Sequence, residues 1–241
     1  MTITAPDTGT IRARLEEVRQ RIAACAERKG RAPEDITLIA VSKTHPAEMV
    51  REAVAAGAGD FGENRVQEAE EKIPALQGTG ARWHLIGHLQ SNKARRAVRL
   101  FDVIHSIDSL SLVERLERLC VEKARERLPV LVQVDLAGEA TKAGAAETEL
   151  PALVEKLKTC ARLQLVGLMA LPPFFAEVER VRPYFRRLRE LRDELQRHDA
   201  FGDGGMGELS MGMSHDYEVA IAEGATMVRV GTSIFGTRNK V

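Results

Sequence analysis

The chain has 241 residues, 44% hydrophobic and 29% charged, the proportions of an ordinary globular protein long enough to bury a full core unaided. Its 35 basic and 35 acidic residues cancel, so no bulk field draws it to nucleic acid or to an anionic membrane. Cys25, Cys120 and Cys160 are dispersed, without metal-ligand spacing, and read as small apolar residues in a reducing compartment. The polar N-terminus is unlike a secretory leader, and no apolar run nears the ~20 residues that span a bilayer, so the expected location is cytoplasmic.

Residues 1–9 are expected to be disordered, and a single domain is expected over 10–241. From Thr10 to about Lys29, Ile11, Leu15, Val18 and Ile22 recur at helical spacing and Gly30 closes the helix. Short apolar runs then alternate with amphipathic stretches. The predicted strands are Thr37–Lys43, Asp60–Asn64, Arg82–His88, Val103–Ile107, Val130–Asp135, Leu163–Ala170, Glu208–Ser214 and Met227–Gly231. The predicted helices between them are Pro46–Ala56, Arg65–Leu76, Ser91–Val98, Leu110–Arg127, Glu147–Thr159, Phe175–Gln196 and Asp216–Ala222. Gly202–Gly207 reads as a mobile loop. Such alternation indicates a parallel sheet. Eight strands in a chain near the ~250 residues of one β/α barrel predict an α/β fold, a single (β/α)8 TIM barrel with an extra N-terminal helix. With only a few residues after Gly231, no second domain is expected to follow the barrel.

In such a barrel the site forms at the C-terminal strand ends. That rule singles out Ser42, Lys43, Asn64, His88, Asp135, Met169, Ser214, Gly231 and Thr232. Lys43 shares a strand face with Ile39 and Val41, an apolar setting that favours the neutral amine imine chemistry needs, although a lysine snorkelling to solvent fits the same pattern. Gly231-Thr232-Ser233 follows strand eight, where barrels often bind phosphate, with Gly212 and Ser214 as matching donors from strand seven; ordinary turn residues are the alternative. Arg229 lies inside the apolar strand MVRVG, so it must face a ligand or pair across the barrel with a carboxylate such as Glu63 or Asp135. His84 either orients the site or is a hydrogen-bonded core histidine, and no third residue completes a metal set with it and His88. The basic segment Lys93–Arg99 and the arginine-rich helix 180–197 read as solvated faces rather than nucleic-acid surfaces. Lysine, phosphate donors and inward arginine together suit a phosphorylated aldehyde.

Six ordered blocks carry a resemblance. They are AVSKTHP (Ala40–Pro46), FGENRVQE (Phe61–Glu68), WHLIGHLQSNK (Trp83–Lys93), GLMAL (Gly167–Leu171), LSMGMSHD (Leu209–Asp216) and VRVGTSIFG (Val228–Gly236). Through them the chain resembles, from about Thr10 to Arg238, the pyridoxal phosphate homeostasis proteins, relatives of the alanine racemase N-terminal barrel. The resemblance implies a monomeric barrel with pyridoxal 5′-phosphate on Lys43. It implies phosphate contacts from Ser214, Gly231 and Thr232, Arg229 at the pyridine nitrogen, Asn64 near the ring, and Met211 and Gly212 among the cofactor contacts. The stretch Val134–Gly144 departs from the family, which often has Asn and a Ser-containing turn where Asp135-Leu136-Ala137 stands; Glu139, Lys142 and Gly144 keep the pattern.

A cationic arginine at the ring nitrogen disfavours its protonation and weakens the cofactor as an electron sink. The expected function is therefore a carrier in intracellular vitamin B6 homeostasis and amino-acid balance, without dedicated turnover and with apo-enzymes that use this cofactor as recipients. A weak amino-acid racemase or decarboxylase is the alternative, and the bare lysine-plus-phosphate site also permits a Schiff-base aldolase.

Overall fold

The computed structural model describes residues 9–138, 143–202 and 205–237. The expectations for residues 1–8, for Glu139 and Lys142, and for positions 203 and 204 of the glycine-rich stretch lie outside the described residues. Helix α1 (Ile11–Glu27) begins where the Thr10 hydroxyl accepts from the Ala13 amide, and it buries Ile11, Leu15, Val18, Ile22 and Cys25 along one stripe. This stripe packs α1 on the outside of the barrel, against helices α2 (Ala47–Ala55), α8 (Tyr217–Ala222) and α9 (Thr232–Phe235).

Eight strands form the barrel: β1 (Thr37–Val41), β2 (Asp60–Glu63), β3 (Arg82–Leu85), β4 (Val103–Ile107), β5 (Leu128–Asp135), β6 (Leu163–Ala170), β7 (Glu208–Met213) and β8 (Met227–Val230). All pairings are parallel, in the order β4-β3-β2-β1-β8-β7-β6-β5. Ile104 pairs with Val130 and Ile107 with Val132, which joins β4 to β5 and closes the ring. The fold is thus the (β/α)8 barrel read from the sequence. An additional two-residue pairing, Ala145–Ala146 against Val134 and Asp135, was not anticipated. The remaining helices are α3 (Val66–Ala75), α4 (Ala94–Leu100), α5 (Leu110–Glu122), α6 (Leu150–Lys158) and α7 (Arg182–Gln196). Among the described residues no helix is long and apolar enough to cross a membrane.

The core has two parts. The larger lies between strands and helices; the smaller fills the barrel lumen with Ile39, Val103, Leu131 and Met227, backed by Val166.

Several elements end earlier than the sequence suggests, for local reasons. Strand β1 stops at Val41 because Lys43 and Thr44 form a turn, with Thr44 at φ 67°. Helix α5 stops at Glu122 because Ala124 has φ 52°, outside the right-handed helical region. Strand β8 stops at Val230 because Gly231 caps the short helix α9.

Candidate functional site

Six of the sequence-predicted residues meet at the C-terminal mouth of the barrel. Lys43, Asn64, Ser214, Arg229, Gly231 and Thr232 line one cavity of about 250 Å³, together with Val41, Ile86, Leu171, Met213 and His215. Larger cavities open elsewhere on the surface, but this one lies where the barrel's strand ends converge, and it holds an amine, a cation and two hydroxyls.

Each residue arrives there for a local reason. Lys43 sits in the turn after β1, and that turn is tied down from behind. The Thr44 amide donates to Glu68 Oε2 at 2.7 Å, and the His45 ring stacks on Phe235 of α9 with centroids 5.2 Å apart. The Ser42 hydroxyl donates to Glu63 Oε1 at 2.7 Å, and Lys72 Nζ donates to both Glu63 Oε1 and the Ser42 carbonyl at 2.7 Å. Glu63 is fully buried, and burial pushes its carboxyl up despite the Lys72 and Ser42 hydrogen bonds. Among the described residues its Oε2 has no partner. Asn64 follows Glu63 directly. Gly87 lets the end of β3 close on it, since a Cβ there would stand 2.2 Å from the Asn64 carbonyl oxygen.

On the other side, the Gly231 amide donates to Ser214 Oγ at 3.1 Å, which links the ends of β7 and β8. Gly231 packs against β1, where a Cβ would meet the Val41 carbonyl oxygen at 3.2 Å. Thr232 opens α9, whose first amides have no intrahelical acceptor and suit an anion with the hydroxyls beside them.

Arg229 pairs in register with Ile39 of β1 and is 2% exposed. Its Nη1 donates to Ser210 Oγ at 2.6 Å and its Nη2 to the Ala170 carbonyl at 2.9 Å. Burial lowers its pKa to about 10, with Asp216 opposing, so it is cationic at neutral pH. The alternative of an ion pair with Glu63 or Asp135 is not what the structure contains. Glu63 pairs with Lys72, and Asp135 Oδ1 instead accepts from the Ala137 and Gly138 amides at 3.0 and 3.2 Å. That turn is where the sequence departs from the pattern it otherwise resembles, and the aspartate side chain closes it. Gly144 keeps its place at φ 140°, close against the Asp135 amide.

The other expected residues lie outside this cavity. Met211 is buried in the outer core. Gly212, at φ 90°, lets helix α8 approach; a Cβ would stand 2.5 Å from that of Ala220. Met169 is buried, and His88 is an exposed partner of Asp108 at 3.1 Å. Ile86 lines the cavity instead, because β3 ends at Leu85 and the chain has turned by residue 88. Leu171, Met213 and His215 were also missed. They follow the strand ends by a residue or two, and strand periodicity alone does not reach into those turns. Cys120 and Cys160 have thiols pushed up to about 11 by burial, as expected of packing residues.

The family model for the alanine racemase N-terminal domain matches residues 11–239. A pyridoxal phosphate homeostasis protein of Pseudomonas aeruginosa is 46% identical over 233 residues, 95% of this chain and 96% of that one. Its counterpart in Aquifex aeolicus is 43% identical over 225 residues, 93% of this chain and 97% of that one. Among solved structures, PipY of Synechococcus elongatus PCC7942 with PLP bound is similar at a TM-score of 0.82 and 42% identity, covering 94% of this chain and 100% of that one.

Proposed function

We propose that this chain, which belongs to the alanine racemase N-terminal domain family and within it to the pyridoxal phosphate homeostasis proteins, holds pyridoxal 5′-phosphate on Lys43 and serves its intracellular homeostasis. The observation that carries the reading is one cavity lined at once by Lys43, a buried arginine and the Ser214-Gly231-Thr232 group. The donor set fits the cofactor: an amine for its aldehyde, hydroxyls and amides for its phosphate, a cation for its ring nitrogen, and apolar Val41, Ile86 and Leu171 for its ring. When bound, the cofactor supplies an aldehyde that condenses with an amine, with loss of water, into a Schiff base.

The protein's residues do the rest. Ser42, Thr44 and the Glu63–Lys72–Glu68 cluster hold the turn that carries Lys43. Ser214, Gly231 and Thr232 take the phosphate. Arg229 keeps its proton and disfavours one on a ring nitrogen facing it, which favours retention of the cofactor over carbanion chemistry. Apo-enzymes that need this cofactor are the recipients in this reading, and amino-acid balance is affected through them.

The test is the visible spectrum of the purified protein. A coloured imine in the wild type, absent in Lys43→Ala, supports the reading; the same colour in the variant refutes it. Turnover of a panel of L-amino acids above the rate of free cofactor would favour a racemase or decarboxylase instead.

A further inference from the structure

Arg229 is a buried cation with no carboxylate within ion-pair distance among the described residues. What its side chain does meet begins a chain of contacts across the whole lumen. Ser210 Oγ on β7, which accepts from Arg229 at 2.6 Å, lies 2.9 Å from His105 Nδ1 on β4. His105 Nε2 lies 2.9 Å from His84 Nδ1 on β3, and His84 Nε2 lies 2.9 Å from Asp60 Oδ1 at the start of β2. Ser210, His105 and His84 are fully buried, whereas the Asp60 side chain is 26% exposed. Because β2 begins at Asp60, this carboxylate stands at the mouth opposite the cavity.

With both imidazoles neutral, the carboxylate end sets the direction of every proton in the chain. A guanidinium only donates, and a carboxylate only accepts. Arg229 therefore donates to Ser210, Ser210 donates to His105 Nδ1, His105 Nε2–H donates to His84 Nδ1, and His84 Nε2–H donates to Asp60. Each ring then carries its proton on Nε2, and four dipoles align from cation to carboxylate. Burial, followed by the influence of His84, Arg229 and Arg82, holds His105 well below the usual histidine range, which agrees with a neutral ring. The charged groups acting on the pair are thus Asp60, Arg82 and Arg229, and Asp216 acts in turn on Arg229.

We propose that Ser210, His105, His84 and Asp60 are positioning residues that orient Arg229 toward the cavity and connect it to a counter-charge at the far mouth of the barrel. The hydrogen-bonded chain stands independently of what the cavity holds; its effect on a bound ring rests on the cofactor reading above.

The experiment has two arms on the full-length protein. The first is imidazole nitrogen NMR on cofactor-free protein labelled with ¹⁵N-histidine, at neutral pH. Both His84 and His105 should be Nε2–H tautomers; an Nδ1–H tautomer or an imidazolium at either ring overturns the proposal. The second compares wild type with Asp60→Asn, loaded with pyridoxal 5′-phosphate and titrated by visible absorption. Asparagine can still accept from His84 but carries no charge, so the midpoint of the bound chromophore should fall by about half a pH unit. An unchanged midpoint would show a packing role alone and overturn the proposal. Should even the wild type form no adduct, the cofactor reading fails while the tautomer result still decides the chain.

Discussion

The buried contact between Lys72 and Glu63 carries more than its two residues. Glu63 is 0% exposed and Lys72 7%, so removing the ammonium leaves a carboxyl in the interior with its remaining hydrogen bond from Ser42. Lys72→Met should cost about 3–5 kcal/mol of stability, measured by urea unfolding, because an unpaired buried charge is expensive. It should also weaken pyridoxal phosphate binding, since the same ammonium holds the Ser42 carbonyl next to Lys43. Glu63→Gln together with Lys72→Met, which removes both charges, should recover part of the stability. At the same scale, Arg229→Gln should keep the phosphate contacts but shift the absorption and proton affinity of the bound cofactor. An unaltered spectrum would make Arg229 a structural cation only. Lys43 and the Ser214–Gly231–Thr232 set were legible in the sequence because strand ends and glycine positions mark them, and Arg229 because it is a charge inside an apolar strand. Lys72, Ser210 and His105 were not, since their roles come from partners 9, 19 and 105 residues away that only the folded chain brings into contact.

At the scale of elements, the eight strands were legible from apolar runs, but their ends were not. Thr44 and Ala124 adopt positive φ without being glycine, and such positions have no composition signal to announce them. Gly212 is the opposite case, a glycine whose reason is visible only in the fold. At φ 90°, with Tyr217 and Ala220 of α8 pressed against it, Gly212→Ala should cost about 1–3 kcal/mol from strain alone and lower the melting temperature by several degrees. Helices α7 and α8 are joined through Glu223. Burial raises its carboxyl, but the arginines outweigh that: hydrogen bonds from Arg182 and Arg186 and the charge of Arg186 and Arg189 leave it below the usual carboxylate range. A depressed carboxylate stabilises the fold fully above its unfolded value near ~4.3, and that contribution is lost as pH falls through the lower folded value. Stability measured by urea unfolding should therefore drop below about pH 4.3, and Glu223→Gln should flatten that part of the profile.

For the whole molecule, ring closure does the decisive work. Pairing of β8 with β1 sets Arg229 beside Ile39, two residues before Val41 and the Lys43 turn, so groups almost 190 residues apart in sequence share one cavity. The interior is small and mostly apolar, so the one arginine within it is held by hydrogen bonds and by the charge of Asp216, and the histidine chain links it to a second carboxylate at the far mouth. The alternation of strands and helices made the barrel legible in the sequence, whereas the polar chain through its centre was not, because its members sit on strands that periodicity cannot order around a ring. The proposed function rests above all on where the aldehyde is captured. Borohydride reduction of the pyridoxal-phosphate-loaded protein, followed by peptide mass spectrometry, tests this directly. The expected result is one reduced pyridoxyl adduct, on Lys43; an adduct on a different side chain, or none at all, would contradict it.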